Sequence, residues 1–404
     1  MNKLFESQWQ ATKKALCEGR DLTHNMDGTV NQHKKQMMET VLENTRRELK
    51  LLESATAGAT NAASIATLNK VILPVIRRVM PTVIANEIIG VQPMTSPVAQ
   101  IHTLRVRYAD TVPVDGSGVT AGNEALGPFD IARFYSGNNN PANPRAASTA
   151  ALEGKAGNRL SIQVLKEVVE AKTRKLSARW TFEAAQDAQA QQGIDIEAEI
   201  MAALAQEITA EIDQEILLSL RALPGAATST FDQSAATGTP TYVGDVHAAL
   251  AILINRQSNL IATRTRRGAG NWAVVSPTAL TVLQSATTSA FARTTEGVFE
   301  APTNTKFVGT LNNSMRVYVD QYASDNTPVL IGYKGNEMDA AAFYCPYVPL
   351  TSSGVVIDPT TFEPVVSFMT RYGYVELTNS ASSLGNAADY LGLVAIDTNN
   401  LTFI

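Results

Sequence analysis

The chain has 404 residues, of which 45% are hydrophobic and 18% charged, and its net charge is −5. Average soluble proteins carry about 25% charged residues, so this surface is depleted in charge, as buried subunit interfaces are; a β-rich monomer surfaced with Thr and Asn is the other reading. The negative balance excludes a whole-chain polyanion grip, and two cysteines, Cys17 and Cys345, exclude a disulfide framework and a cysteine-based zinc site.

The length suggests two or three domains. The first ten residues, MNKLFESQWQ, lack an apolar stretch, so no secretory leader is expected. Residues 1–53 hold 17 charged side chains, against 54 in the remaining 351 residues, and this shift marks a boundary. Phe5, Trp9 and Leu16 recur at helical spacing, as do Met37, Met38, Val41, Leu42, Leu49 and Leu52. They predict two amphipathic helices split by the turn-rich Thr23–Gly28, either a solvated arm or a segment that pairs with a partner helix. Residues 54–63, SATAGATNAA, read as a flexible linker.

Residues 69–108 read NKVILPVIRRVMPTVIANEIIGVQPMTSPVAQIHTLRVRY, with prolines at 74, 81, 93 and 97. Many apolar side chains among prolines, without a catalytic cluster, suit docking against protein. Pro74 and Pro81 can each start a helical turn, and Gly90 can close the second. The run VILPVIRRV is interrupted by Arg77 and Arg78 and is too short to span a bilayer. Residues 98–108 alternate like a strand.

Residues 109–160 are rich in Gly, Asn, Pro and Ser, with GNNNPANPR at the centre. This is too long for a plain connection, and a protruding loop or long β-hairpin is expected. Gly116, Gly118 and Gly122 have the wrong spacing and flanks for a nucleotide loop. Residues 168–183 alternate as a strand, placing Lys172, Arg174, Leu176, Ala178, Trp180 and Phe182 on one face. A helix follows and Gly193 breaks it. Asp195 then caps a helix over residues 195–221, about 40 Å long. Its apolar stripe is Ile196, Ile200, Leu204, Ile208, Ile212, Ile216 and Leu220. A strict spacing of four drifts about 40° per step against the 3.6-residue period, so the stripe sweeps around the helix and meets different neighbours.

From residue 240 the pattern is α/β: a helix over 243–262, a loop over 263–270 and a buried strand at Trp272–Val275. Ser276-Pro277 then opens a helix as N-cap and first-turn proline. Further strands are expected at 315–322, 328–333, 342–348, 364–378 and 390–396.

Candidate chemistry is sparse. His24, His33, His102 and His247 are far apart and lack metal-ligand spacing. Glu199, Glu207, Glu211 and Glu215 lie along the long helix without a Glu-x-x-His companion, which reads as a solvated or salt-bridged face. No catalytic, cofactor or metal site is expected. Arg264, Arg266 and Arg267 make the compact basic cluster beyond the N-terminal arm. They suit DNA phosphates, a neighbour's acidic groups or plain solvation. Arg77 and Arg78 suit carboxylates across an interface.

Four ordered blocks resemble the major capsid proteins of T-even-type tailed phages. They are Asn69–Tyr108, Lys172–Asp187 (KTRKLSARWTFEAAQD), Arg316–Leu350 (RVYVDQYASDNTPVLIGYKGNEMDAAAFYCPYVPL) and Phe362–Tyr374 (FEPVVSFMTRYGY). The resemblance implies an α+β chain of the Hong Kong 97-type capsid fold. Residues 1–53 would be a helical arm and propeptide, and 54–104 the linker and short helices. Residues 105–180 would be the extended loop that overlaps a neighbour. Residues 181–239 and 351–404 would form a peripheral domain around the spine helix, and 240–350 the axial domain. The family's insertion domain is not expected, because 109–160 is too short and polar. The implied partners are the chain itself, with scaffold, portal, vertex or decoration proteins. DNA would be enclosed without sequence-specific binding, and no membrane or cofactor is implied. The family's processing pattern, Leu or Ile, any residue, then Glu, fits Leu51-Leu52-Glu53 before Ser54, and also Leu4-Phe5-Glu6 and Leu16-Cys17-Glu18. Two alternatives stay open: an encapsulin-like cellular shell enclosing cargo enzymes, and a soluble α+β enzyme.

Overall fold

The computed structural model describes residues 36–37, 39–41, 43–44, 83–112, 120–122, 125, 135–137, 146–192, 195–233, 243–265, 267–286, 291–293, 306–312, 314–377 and 387–397. Leu51, Leu52, Glu53, Ser54, Arg77, Arg78 and Arg266 lie outside the described residues, as do most of the predicted arm and linker. Residues 36–37, 39–41 and 43–44 contribute helical backbone, with Met37 and Val41 buried in the main core.

A single helical turn, α1 (Ala85–Ile88), leads into strand β1 (Gly90–Val91). Gly90 therefore lies in a strand instead of closing a helix; Ile89 takes the extended conformation that ends the turn. Next, β2 (Val98–Tyr108) and β3 (Leu160–Glu170) pair antiparallel over their whole length, from Val98 opposite Glu170 to Tyr108 opposite Leu160. The strands of this hairpin flank residues 109–160 instead of lying within them, so it begins earlier and ends later than the sequence predicts; at ~3.3 Å per residue its arms reach about 36 Å. A turn of helix, α2 (Thr149–Leu152), sits in the connection.

The strand expected over 168–183 is divided. Residues 168–170 belong to β3, and Ala171 marks the switch of sheet, its N–H bonded to the Pro97 carbonyl at 2.9 Å. Strand β4 (Lys172–Arg179) then joins the main sheet. Phe182 opens helix α3 (Phe182–Gln192), because the Thr181 hydroxyl accepts the Ala184 N–H and starts a helix there.

The spine helix α4 (Ile196–Ala222) forms as the sequence implies. The Asp195 carboxylate accepts the N–H groups of Glu197 and Ala198, and acidic Glu197 and Glu199 occupy the first turn with Arg221 in the last. Burial follows two adjacent columns. One is Leu204, Ile208, Ile212, Ile216 and Leu220; the other is Ala205, Thr209, Asp213 and Leu217. Ile196 and Ile200, at the N-terminal end of the stripe, are only partly buried.

The remaining elements are β5 (Ser229–Phe231), α5 (Val243–Thr265), β6 (Trp272–Val275), α6 (Pro277–Ser285), β7 (Phe291–Arg293), β8 (Lys306–Leu311), β9 (Met315–Val319), β10 (Val329–Gly332), β11 (Ala342–Ser352), β12 (Val356–Ile357), β13 (Pro364–Glu376) and β14 (Leu391–Ile396). Helix α5 runs through Thr265, so Arg264 sits in its last turn and not in a loop. The Ser276 hydroxyl caps α6 by accepting the Ala279 N–H, with Pro277 in the first turn.

Two larger sheets organise these strands. One has the order β1-β11-β13-β12, with β4 also paired to β13; the other has the order β5-β14-β10-β6-β9-β8-β7. On β13, Val366, Phe368 and Tyr372 share a core with α4, joined by Leu176 and Ala178 from β4 and by Trp180 just after it. The second sheet is covered on both faces. Trp272 and Val274 of β6 enter the core shared with α4, while Ala273 and Val275 enter a second core with Leu250, Ile254 and Val282. The two-residue strand period thus makes β6 the wall between two cores.

Candidate assembly interface

The two faces of the β2–β3 hairpin differ sharply. Directly opposed residues of an antiparallel pair share a face. On one face β3 presents Leu160, Ile162, Val164, Lys166 and Val168, and the four aliphatic side chains are 56%, 69%, 61% and 50% exposed. On the other, Ser161, Gln163 and Glu167 are polar, and Val169 is buried. The more apolar face therefore looks into solvent. Scattered exposed aliphatics are ordinary, but a ridge of alternating ones on a hairpin is a candidate protein contact.

The hairpin is held at both ends. At its base Val169 packs in a small core with Met94, Phe343, Cys345 and Leu377. It crosses β13 at Gly373, where an added Cβ would sit 2.3 Å from the Val169 side chain. Burial in this core pushes the Cys345 thiol up to about 12, so it is an inert packing residue. Towards the tip Tyr108, Val112, Ala125 and Tyr135 form a separate cluster, with the Tyr108 and Tyr135 rings 4.4 Å apart. Arg159 bonds Asp110 through its guanidinium at 3.0 Å and holds that carboxyl below its ordinary range. These contacts anchor the hairpin at its base and beside Tyr108.

Polar anchors tie the sheets to the spine helix. Arg174 of β4 reaches Glu211 at 2.6 Å and Glu215 at 2.5 Å on α4, and its Nε donates to the Tyr372 hydroxyl. The Tyr372 hydroxyl in turn donates to Glu215. Burial would raise the Glu215 carboxyl; the bonds from Arg174 and Tyr372 outweigh it and hold it below its ordinary value. The expected salt-bridged face of the helix is thus present at Glu211 and Glu215, while Glu199 and Glu207 are exposed. Fully buried Asp320, just after β9, accepts from Arg221 at 3.0 Å and Gln214 at 2.7 Å, which joins α4 to the second sheet.

The sequence-predicted basic residues are not gathered into one site. Arg267 is bonded to Asp339 at 2.7 Å within the chain, and Arg264 is half-buried at the end of α5. His102 is exposed on the hairpin, and His247 is buried with Nδ1 2.5 Å from the Ser285 hydroxyl oxygen. Among the described residues no group of three or more His, Cys, Asp or Glu side chains can hold a metal. Sequence reasoning missed the exposed β3 ridge, although Leu160-Ser161-Ile162-Gln163-Val164 alternates apolar and polar as a strand does.

A family model described as major capsid protein Gp23 matches residues 65–156 and 130–396. The chain belongs to the Gp23 major capsid protein family. Its Gp23-family relatives include the major capsid protein of Vibrio phage KVP40, 30% identical over 420 residues and covering 82% of this chain and 81% of that protein. The major capsid protein of Enterobacteria phage T4 is 30% identical over 401 residues, covering 78% of this chain and 76% of that one. Among solved structures, the chain is similar to one from Microbacterium phage Oxtober96, with 11% identity, coverage of 78% and 90%, and a TM-score of 0.47. It is also similar to the capsid of Myoviridae Phage XM1, with 12% identity, coverage of 76% and 90%, and a TM-score of 0.41. This member of the Gp23 family is a structural protein of the tailed-phage head, located in the virion capsid, and not an enzyme. As a capsid protein it assembles with copies of itself into a lattice.

Proposed function

We propose that this chain forms hexameric capsomers that close into an icosahedral shell around double-stranded DNA, without sequence-specific contact to that DNA. The observation that carries the reading is the apolar β3 ridge, carried on a hairpin and exposed in the single chain. A neighbouring subunit is the occupant that a lattice supplies. A standard interface buries about 800 Å² per partner, and several modest contacts per subunit become collectively near-irreversible through effective concentration.

In this reading residues 105–180 are the overlapping loop, 181–239 and 351–404 the peripheral domain, and 240–350 the axial domain. Residues 54–104 are the linker and short helices. Arg77, Arg78, Arg264 and Arg266 serve inter-subunit or DNA contacts, whereas Arg267 already has Asp339. Scaffold, portal, vertex or decoration proteins are further partners. Expression of the full chain with scaffold and any assembly chaperone is expected to give hexamers and closed or tubular particles by electron microscopy. A clean monomer by light scattering at high concentration, with those factors present, refutes the proposal.

The arm, residues 1–53, is proposed to guide assembly and then be cut after Glu53. Exposed small-residue linkers let a protease bind an extended chain, and SATAGATNAA begins at Ser54. Intact-mass measurement of the subunit from infectious particles is expected to give a chain starting at Ser54. A chain starting at Met1 or Asn2 overturns this part alone.

A further inference from the structure

Asp213 lies in the second buried column of α4 and is 1% exposed. Its Oδ1 accepts the Ile84 N–H at 2.9 Å, across 129 residues of sequence. Its Oδ2 is buried without a hydrogen-bond partner. That single bond fixes the place where residues 83–91, which lead from the N-terminal region into β1, leave the spine helix. Val83, Ile84 and Ile88 pack in the same core, and β1 continues from them beside β11. A buried carboxyl with one partner is costly to ionise, since an uncompensated charge in a core costs several kcal/mol.

We propose that Asp213 is a proton-coupled latch: the turn at residues 83–91 is docked on the spine helix with the carboxyl protonated, and lifting the turn lets the carboxyl ionise and release its proton. The titratable groups that face it do not neutralise it. Asp320 opposes its ionisation and is itself occupied by Arg221 and Gln214. From β11 the Tyr344 phenol lies close enough for the two groups to act on each other. On the turn itself, Glu87 is bonded to Arg316, and Lys334 reaches the Asn86 carbonyl and Glu337.

The direction follows from the burial. Desolvation, first, and the Asp320 charge push the Asp213 carboxyl up to about 7 against the opposing Ile84 bond, from an ordinary value of 3.8. The docked state therefore holds its full advantage below pH 3.8. It loses that advantage progressively as pH rises to about 7, and is level above. Each subunit contributes one such group, so any shell rearrangement that lifts this turn in many copies together would be steeply pH-dependent and favoured by higher pH.

The test is hydrogen exchange by mass spectrometry on the full-length chain, with peptides covering residues 83–91, corrected at each pH for intrinsic exchange. The opening constant of these amides is expected to rise roughly fifty-fold between pH 5 and 7 and then level off. The β2–β3 hairpin, which does not cover Asp213, is expected to lack that rise. In Asp213→Asn, which keeps an oxygen for the Ile84 N–H but cannot ionise, the 83–91 profile is expected to be flat. A flat wild-type profile, a wild-type profile matching the hairpin's, or an Asp213→Asn slope equal to wild type would each overturn the latch. If the variant fails to fold, the two wild-type profiles decide.

Discussion

Ile208→Asp is expected to abolish soluble, assembled protein. Ile208 is 1% exposed, midway along α4, in the core that also takes Phe368 of β13 and Trp272 of β6. The substitution removes a well-packed aliphatic side chain and leaves an unpaired carboxylate where water cannot reach. Losing the packing costs about 2–5 kcal/mol, and burying the charge several more after relaxation. Domains are stable by about 5–15 kcal/mol, so one such change takes most of the margin. Leu218→Asp is the matched control. It lies on the same helix but is 70% exposed, and surface substitutions usually change stability by about 0.5 kcal/mol or less. Far-ultraviolet circular dichroism and the soluble fraction after expression read both variants. Soluble Ile208→Asp with a native spectrum would show that α4 is not a buried spine at this point.

The contrast between those two positions shows what was legible in the sequence. Helix α4 announced itself through the Asp195 cap and the four-residue stripe, because both are local signals that the chain carries within a few turns. Ser276-Pro277 and the four consecutive apolar residues of β6 were readable for the same reason. The hairpin was half readable. Strand β2 alternates cleanly, but β3 alternates only through Val164; then Leu165 follows Val164 directly, and Val168 adjoins Val169. The Val168-Val169 pair arises because the base of β3 is apolar on both faces: Val169 docks into a core while Val168 stays exposed. Strands β5, β7 and β12 have three residues or fewer and too little length to show any period.

Polar anchors were illegible for a different reason. Nothing near Asp213 in sequence points to Ile84, and nothing near Asp320 points to Gln214. These pairs exist only because the fold brings distant segments together. Asp213, in the Ile212–Ile216 stretch, would be taken for a solvated helix residue by its type alone. The four glutamates of α4 likewise look alike in sequence, yet Glu211 and Glu215 meet Arg174 while Glu199 and Glu207 face solvent. The arginine cluster at 264–267 gives the opposite lesson. It looked like one basic patch, but Arg264 ends a helix and Arg267 is committed to Asp339.

The double variant Ile162→Asp with Val164→Asp is expected to leave the subunit folded and to stop shell formation. Both side chains are largely exposed in the single chain, at 69% and 61%, so charge there stays hydrated and the hairpin keeps its base and tip anchors. In a lattice contact the same carboxylates would be desolvated against a neighbour. The aliphatic burial they replace is worth roughly 1.5–3 kcal/mol per side chain, and each unpaired charge adds a penalty on top. Every 1.4 kcal/mol is about tenfold in an association constant. The defect recurs at every subunit, so even a modest loss per contact multiplies over the shell. Gln163→Asp, on the opposite face of β3, is the control expected to assemble normally. Sedimentation through a sucrose gradient and electron micrographs would read particle yield, expected to fall at least about tenfold for the double variant alone, with unchanged circular dichroism. Normal yield from that variant would show that the ridge is not an assembly surface. A matching loss from Gln163→Asp would mean that the hairpin tolerates no added charge on either face, and that the exposed ridge has no special role.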